Sequence, residues 1–195
     1  LQTHYPLKAL VIACNTATSV AAATLRAEMT LPIIGMEPAL KPAHQLRHGG
    51  RILVMATPLT LRLPKFEALM ARYGEGASPL PCPGLMELVE EGKLDGPEIE
   101  DYLHRLFAPY RDTPVDAVVL GCTHYVFLHP ILRRLLPAET AILDGNAGTI
   151  RQLRRVLEER NALHPEGASG RVELHTSGDE ALVLPRMKQL LQLSQ

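Results

Sequence analysis

The chain has 195 residues, 46% of them hydrophobic and 21% charged, a globular composition that argues against a disordered tail and allows one large domain or two small ones. Lys and Arg number 20 against 21 Asp and Glu, and the resulting net charge of −1 gives no electrostatic reason to favour nucleic acid or an anionic membrane. No apolar run approaches the roughly 18 residues that span a bilayer, no stretch reads as a signal peptide, and three cysteines are too few for a disulfide framework, so the expected compartment is the cytoplasm.

Lys8 to Ala13 (K-A-L-V-I-A) is a short apolar run of the kind that forms a strand buried on both faces of a parallel sheet. It stops at Cys14-Asn15-Thr16, where Asn15 and Thr16 suit a helix cap, and Ala17 to Glu28 reads as a helix. Arg51 to Ala56 (R-I-L-V-M-A) repeats the strand pattern, ends in Thr57-Pro58 and leads into a helical stretch through Arg72. Pro79, Pro81, Pro83 and Gly84 punctuate a loop. Leu85 to Glu91 and Pro97 to Tyr110 then read as helices, with Pro97 in the first turn of the second. Val115 to Leu120 (V-D-A-V-V-L) is a third strand and closes in Gly121-Cys122-Thr123-His124 before a helix from Phe127 to Leu136. Ala141 to Asp144 reads as a brief strand. Ala147 to Asn161 reads as a helix with Ile150, Leu153 and Leu157 on one face, Arg171 to Thr176 as a final strand and Asp179 to Leu193 as a final helix. Strands alternating with helices give an α/β fold with mainly parallel sheets, in which ligands sit at the carboxyl ends of the strands.

Two cysteines stand at such ends. L-V-I-A-C-N-T-A (Leu10 to Ala17) and V-V-L-G-C-T-H-Y (Val118 to Tyr125) share one pattern: a buried strand, a small residue, Cys, a hydroxyl-bearing turn and then a helix. The match has the form of an internal repeat with one cysteine per half. A thiol facing the first turn of a helix meets backbone N–H donors and the positive end of the helix dipole, which favour thiolate. The same donors, with the neighbouring hydroxyls, suit a carboxylate. Two such halves face to face put a thiol on each side of one small anionic ligand. One thiolate then removes a proton from a carbon and the opposite thiol delivers one to the other face, inverting a stereocentre without a cofactor.

Other readings stay open on spacing alone. A cysteine after a buried strand commonly serves as a small core hydrophobe. Cys122 and His124 make a thin pair of metal ligands, with no C-x-x-C spacing in the chain. His124 beside a thiol also fits a hydrolase nucleophile, which leaves Cys14 without a role. Cys82, in P-C-P-G, has neither a strand end nor polar neighbours and reads as structural.

A-C-N-T-A-T (Ala13 to Thr18) and G-C-T-H-Y (Gly121 to Tyr125) resemble the two signature motifs of the glutamate racemases, members of the aspartate/glutamate racemase superfamily. I-L-V-M-A-T-P-L-T (Ile52 to Thr60) resembles the family's strand and T-x-x-T segment, and L-V-E-E-G (Leu88 to Gly92) its glutamate-bearing loop. I-L-D-G (Ile142 to Gly145) and H-T-S-G-D (His175 to Asp179) resemble its later strand ends, so the likeness spans nearly the whole chain. It implies two pseudo-symmetric α/β domains with the active site in the cleft between them: residues 1–37 with 144–195 form the first, and residues 38–143 the second. The implied reaction interconverts L- and D-glutamate and supplies D-glutamate for peptidoglycan, with no pyridoxal phosphate, metal or other cofactor. The implied partner is the small-molecule substrate, with no nucleic acid or membrane, and homodimers are common in the family. An aspartate or hydantoin racemase of the same superfamily is the alternative, the G-C-T-H-Y form favouring glutamate. An inactive remnant or partner-binding module is a further one.

By the same resemblance Cys14 and Cys122 match the two catalytic acid/bases. Asn15, Thr16, Thr123 and His124 match groups that hold the substrate, and His124 also matches a residue assisting the neighbouring thiol. Glu90, with Glu91 as the adjacent alternative, matches a glutamate that assists proton transfer on that side. Thr57 stands where the family contacts the substrate carboxylate, with Thr60 near it. Taken singly, Thr16 suits a helix cap, Thr57 a helix start, and Glu90 a solvated surface charge. Three departures stand out. R-L-P-K-F (Arg62 to Phe66) replaces a segment that usually carries serine and tyrosine, and Val126 stands where proline is usual. The family's opening strand, with its Asp-Ser pair and Gly-rich turn, has no match in the 13 residues before Cys14. This is the pattern expected of a fragment whose first domain is truncated at its N-terminus. Such a polypeptide, alone, is expected to fold poorly or to racemise little.

Overall fold

The computed structural model describes residues 6–165 and 169–193. In chain order these form β1 (Leu10–Ile12), α1 (Asn15–Glu28), β2 (Ile33–Gly35), α2 (Leu40–Leu46), β3 (Arg51–Ala56), α3 (Pro58–Leu61) and α4 (Pro64–Tyr73). Then come β4 (Ala77–Pro81), α5 (Leu85–Glu90), α6 (Pro97–Phe107), a 3-10 turn at Ala108–Tyr110 and β5 (Val115–Leu120). A second 3-10 segment (Thr123–Leu128), α7 (His129–Leu135), β6 (Ala141–Asp144), α8 (Asn146–Glu159) and α9 (Glu180–Leu193) complete the order. The strands make two parallel sheets, β1-β2 and β4-β3-β5-β6. The fold is thus α/β with parallel sheets, as the alternation of apolar runs implies.

The larger sheet is organised by its two central strands. Residues 52–56 and 117–120 are buried throughout, because helices cover both faces and a continuous apolar run is what such a position needs. Successive side chains alternate between the faces. Leu53, Met55, Val118 and Leu120 pack with Leu85, Val89, Ile99, Leu103, Leu128 and Ile131 of α5, α6, α7 and the second 3-10 segment. Ile52, Val54, Ala117 and Val119 pack the other way, on Leu40, Ala43 and Phe66 of α2 and α4.

The chain leaves the small sheet after β2 and returns after β6, and the two crossings touch. A Cβ on Gly145 would lie 2.7 Å from the Glu37 carbonyl oxygen, so glycine there lets the returning strand pass against the outgoing backbone. Thr18 of α1 braces the exit, its hydroxyl donating to the Ile12 carbonyl and accepting from the Met36 N–H.

Several elements depart from the pattern reading. β4 reads A-S-P-L-P, which the prolines mark as a loop. It is an edge strand, where a residue without an N–H loses no ladder bond on its open side. α2 holds Pro42 at its third position, where the N–H has no helical partner to lose, and β2 is only three residues long. The helical stretch after Thr57 divides into α3 and α4 at Leu63-Pro64. The helix expected from Phe127 is a 3-10 segment followed by α7, and the one expected to reach Tyr110 ends at Phe107 in a 3-10 turn. Arg171 to Thr176 is not a strand. No described strand pairs with it and Val172 is 71% exposed, so its alternating pattern has no face to bury.

Leu103 lies wholly inside the α5–α6–α7 face of the core and Leu182 is 73% exposed on α9. Leu103→Ala is expected to lower the unfolding free energy by about 2–5 kcal/mol, and Leu182→Ala to leave it within about 0.5 kcal/mol. Urea denaturation midpoints at unchanged slope give both values.

Candidate active site

Strand β1 ends at Ile12, and the extended backbone at Cys14 (φ −151°, ψ 126°) turns the chain into α1. Cys14 is the N-cap, its sulfur accepting from the Ala17 N–H at 3.5 Å. A thiol therefore occupies the place where a hydroxyl or carboxylate usually satisfies the free N–H groups of a helix start. It remains half-exposed. The next residue, Asn15, is buried, and its Nδ2 donates to the Gly121 carbonyl oxygen at 2.8 Å. Its Oδ1 is buried without a partner.

Gly121 directly follows the central strand β5, and Cys122 comes next. The Gly121 N–H donates to the Met55 carbonyl at 2.7 Å, and a Cβ there would meet that oxygen at 2.8 Å and the Ala56 Cβ at 3.2 Å. Only glycine seats the second cysteine so close to β3. The hydrogen bond from Asn15 to Gly121 thus joins the residue after one thiol to the residue before the other. A second seam runs beside it: Thr16 and Thr60 share a hydroxyl hydrogen bond at 2.7 Å, and Thr60 and Thr57 another at 2.9 Å. Thr57 also caps α3, accepting from the Thr60 N–H.

Cys122 is extended (φ −131°, ψ 138°), half-exposed, and opens a 3-10 segment rather than an α-helix. Burial pushes its thiol above the ordinary range, against the pull of the His124 and Tyr125 N–H groups, and negative charge on Cys14 pushes the same way. The expectation of a thiolate favoured by a helix start therefore fails at Cys122, where desolvation outweighs the N–H donors of a short turn.

His124 faces Cys122, with Nδ1 3.6 Å from the sulfur and Nε2 2.6 Å from Glu90 Oε1 at the last residue of α5. Glu91 instead pairs with Lys93 at 2.8 Å. Since a carboxylate accepts, Nε2 carries a proton and a neutral ring presents the Nδ1 lone pair to the thiol. Thr123 lies half-buried between Cys122 and His124 in sequence and opens the turn. Tyr125 is buried and donates its hydroxyl to the Cys82 carbonyl at 3.2 Å, fastening this turn to the segment before α5.

Cys82 sits directly after β4, a strand end that the prolines conceal in the sequence. Buried in the core, it donates to the Leu80 carbonyl, and burial raises its pKa to about 12. It is a core residue, as its composition suggests. Among the described residues no group of three His, Cys, Asp or Glu converges as a metal site, and no helix is long and apolar enough to cross a membrane.

The structure brings Cys14, Asn15, Thr16, Thr57, Thr60, Gly121, Cys122, His124 and Glu90 to one seam at the carboxyl ends of β1, β3 and β5. Two contacts lie outside any sequence signal. Asn15's role in tying the halves together depends on a partner far along the chain. Arg186 of α9 donates to the Glu91 carbonyl beside Glu90.

Residues 2–153 match the family model described as Asp/Glu/Hydantoin racemase. A glutamate racemase of Clostridium perfringens strain 13 is 44% identical over 189 residues, covering 95% of this chain and 73% of the relative. One from Clostridium botulinum strain 657 is 47% identical over 176 residues, covering 89% and 68%. Among solved structures, Escherichia coli glutamate racemase, bound to L-glutamate and the activator UDP-MurNAc-Ala, superposes with TM-score 0.80 at 30% identity over 96% of this chain and 73% of that one. The Thermus thermophilus enzyme, bound to β-chloro-D-alanine, gives 0.74 at 32% identity over 95% and 70%. With the thiol pair, the parallel sheets and these likenesses together, the chain belongs to the Asp/Glu/hydantoin racemase family.

Proposed function

We propose that this protein is a cofactor-independent glutamate racemase working by two-base proton transfer, with Cys14 and Cys122 as the acid/base pair. The observation that carries the reading is the 2.8 Å hydrogen bond from Asn15 to Gly121, which holds the two thiol-bearing turns against each other. Glutamate as substrate rests on the 44–47% identical relatives, which are glutamate racemases. D-glutamate for peptidoglycan is the corresponding product role. The small sheet with α8 and α9 is assigned to one lobe (residues 1–37 and 144–195) and the four-stranded sheet to the other (residues 38–143), a division supported by the two chain crossings at Glu37 and Gly145.

The chemistry follows from the groups at the seam. The α-carboxylate is held by backbone N–H groups at the start of α1 and of the 3-10 segment, with hydroxyls of Thr16, Thr57, Thr60 and Thr123 nearby. Asn15 Oδ1, buried and without a partner, offers an acceptor to the substrate ammonium. One sulfur, as thiolate, takes the α-proton. The opposite thiol gives its proton to the other face of the planar carbanion, leaving product, one new thiol and one new thiolate. His124 exchanges a proton with Cys122 through Nδ1 while Glu90 stabilises the ring's positive charge through Nε2.

In deuterium oxide the chain is expected to incorporate solvent deuterium at the glutamate α-carbon, an NMR readout sensitive to slow turnover. Cys14→Ser and Cys122→Ser should each slow racemisation by at least about 100-fold, and faster exchange with aspartate or a hydantoin than with glutamate would move the substrate assignment. Wild-type rates in either variant would refute the two-base reading.

The working enzyme holds one thiolate and one thiol. Burial raises Cys122 and charge on Cys14 adds to it, so the second ionisation of the pair moves upward and the singly ionised form persists to higher pH. Racemisation should therefore show a bell-shaped pH profile, rising as the first thiol ionises. Its falling limb should lie above the ordinary thiol range, where the pair loses its last donor proton. A fall beginning near neutrality would contradict the coupling.

A further inference from the structure

Glu90 ends a six-residue helix, and its side chain is 55% exposed, yet it meets His124 at 2.6 Å. An exposed carboxylate on a short helix keeps such a contact only if the backbone beneath it is fixed. The turn that follows is tight. Gly92 adopts φ +80°, its N–H donates to the Val89 carbonyl, and the Lys93 N–H donates to Leu88. Arg186, 95 residues on in α9, lies over this turn: its Nη2 donates to the Glu91 carbonyl at 3.1 Å. A Cβ on Gly92 would collide with the guanidinium, with Cζ at 2.8 Å and Nη2 at 2.9 Å, so the absence of a side chain is what admits the arginine. Nη1 is held in turn by Gln189 at 2.7 Å, one helical turn along α9.

We propose that Arg186 is a positioning residue for the proton transfer at Cys122: by clamping the Glu91–Gly92 turn to α9 it holds Glu90 against His124, and through His124 it sets the proton-accepting power beside the Cys122 sulfur. The inference rests on the acid/base reading of Cys122. It gives α9 a task in the site although the helix contributes no group to the seam. Arg186 touches neither the thiol nor any reacting atom. Its planar fork spans the carbonyl of Glu91 and the side chain of Gln189 at once, which a lysine ammonium does less well.

The test is the rate of iodoacetamide alkylation of each cysteine across pH, followed by mass spectrometry of the separate peptides, because this reads the thiol environment without requiring turnover. The sulfur attacks carbon, iodide leaves, and the thiol proton goes to base. Arg186→Ala and Glu90→Ala are each expected to slow alkylation of Cys122 at pH 8 by about 3- to 10-fold, leaving Cys14 unchanged, with Arg186→Lys in between. Gly92→Ala crowds the guanidinium and also strains the turn at φ +80°, so it should slow Cys122 at least as much as Arg186→Ala. If Glu90→Ala slows Cys122 and Arg186→Ala does not, the positioning role is refuted and the Glu90–His124 relay stands. If neither variant changes Cys122, the relay itself fails and the proposal with it. Equal changes at Cys14 and Cys122 in Arg186→Ala, with a lower urea midpoint, would show a merely structural arginine and would also overturn it.

Discussion

The site depends on one buried hydrogen bond, from the Asn15 amide to the Gly121 carbonyl. On the proposed two-base reading, a thiol on each side of one carbon serves only if the spacing is closely held, since proton transfer requires near-contact distances. The two sulfurs belong to different sheets, and nothing in either sheet alone fixes that spacing. The amide does, because it comes directly after one cysteine and reaches the residue directly before the other. A buried carbonyl deprived of its donor costs about 1–3 kcal/mol, so the closed arrangement is also the one that satisfies Gly121. The threonine chain from Thr16 through Thr60 to Thr57 adds a parallel tie at the same level.

The two halves share a motif but not an electrostatic design. Cys14 caps a fourteen-residue α-helix, and its sulfur takes the place of an N-cap oxygen. Cys122 opens only a 3-10 segment, is pushed towards the protonated form by burial, and carries an imidazole and a carboxylate behind it. The His124–Glu90 pair thus stands beside the thiol that burial pushes upward.

Much of this was legible in the sequence because the relevant physics is local. β3 and β5 match their apolar runs residue for residue, since a strand buried on both faces has no alternative composition. The cysteines were found by the same rule, as polar residues where such runs stop. What escaped was non-local. β4 carries prolines that only its edge position makes acceptable, and the same prolines hid the strand end at Cys82. Arg171 to Thr176 has a strand's composition without a strand's neighbour. The choice between Glu90 and Glu91 turned on helix phase: the first faces His124 and the second Lys93.

Arg186 marks the far limit of such reading. Its residue type, on a helix with few buried positions, is that of any solvated cation, and Gly92 alone reads as an ordinary helix terminator. The pair acquires meaning only when α9 is laid against the turn after α5, where a missing side chain admits a guanidinium. The crossing geometry of the chain gives this contact a consequence. α9 follows the return through Gly145, whereas Glu90 ends α5, which packs on the four-stranded sheet, so both the clamp and the Asn15–Gly121 bond join segments that the two crossings separate along the chain. The Asn15–Gly121 bond lies between the two cysteine-bearing turns, whereas the clamp bears on the Glu90–His124 contact beside Cys122 alone. On the proposed relay, displacement of α9 acts on the Glu90–His124–Cys122 contacts while Cys14 keeps its helix-capping bond.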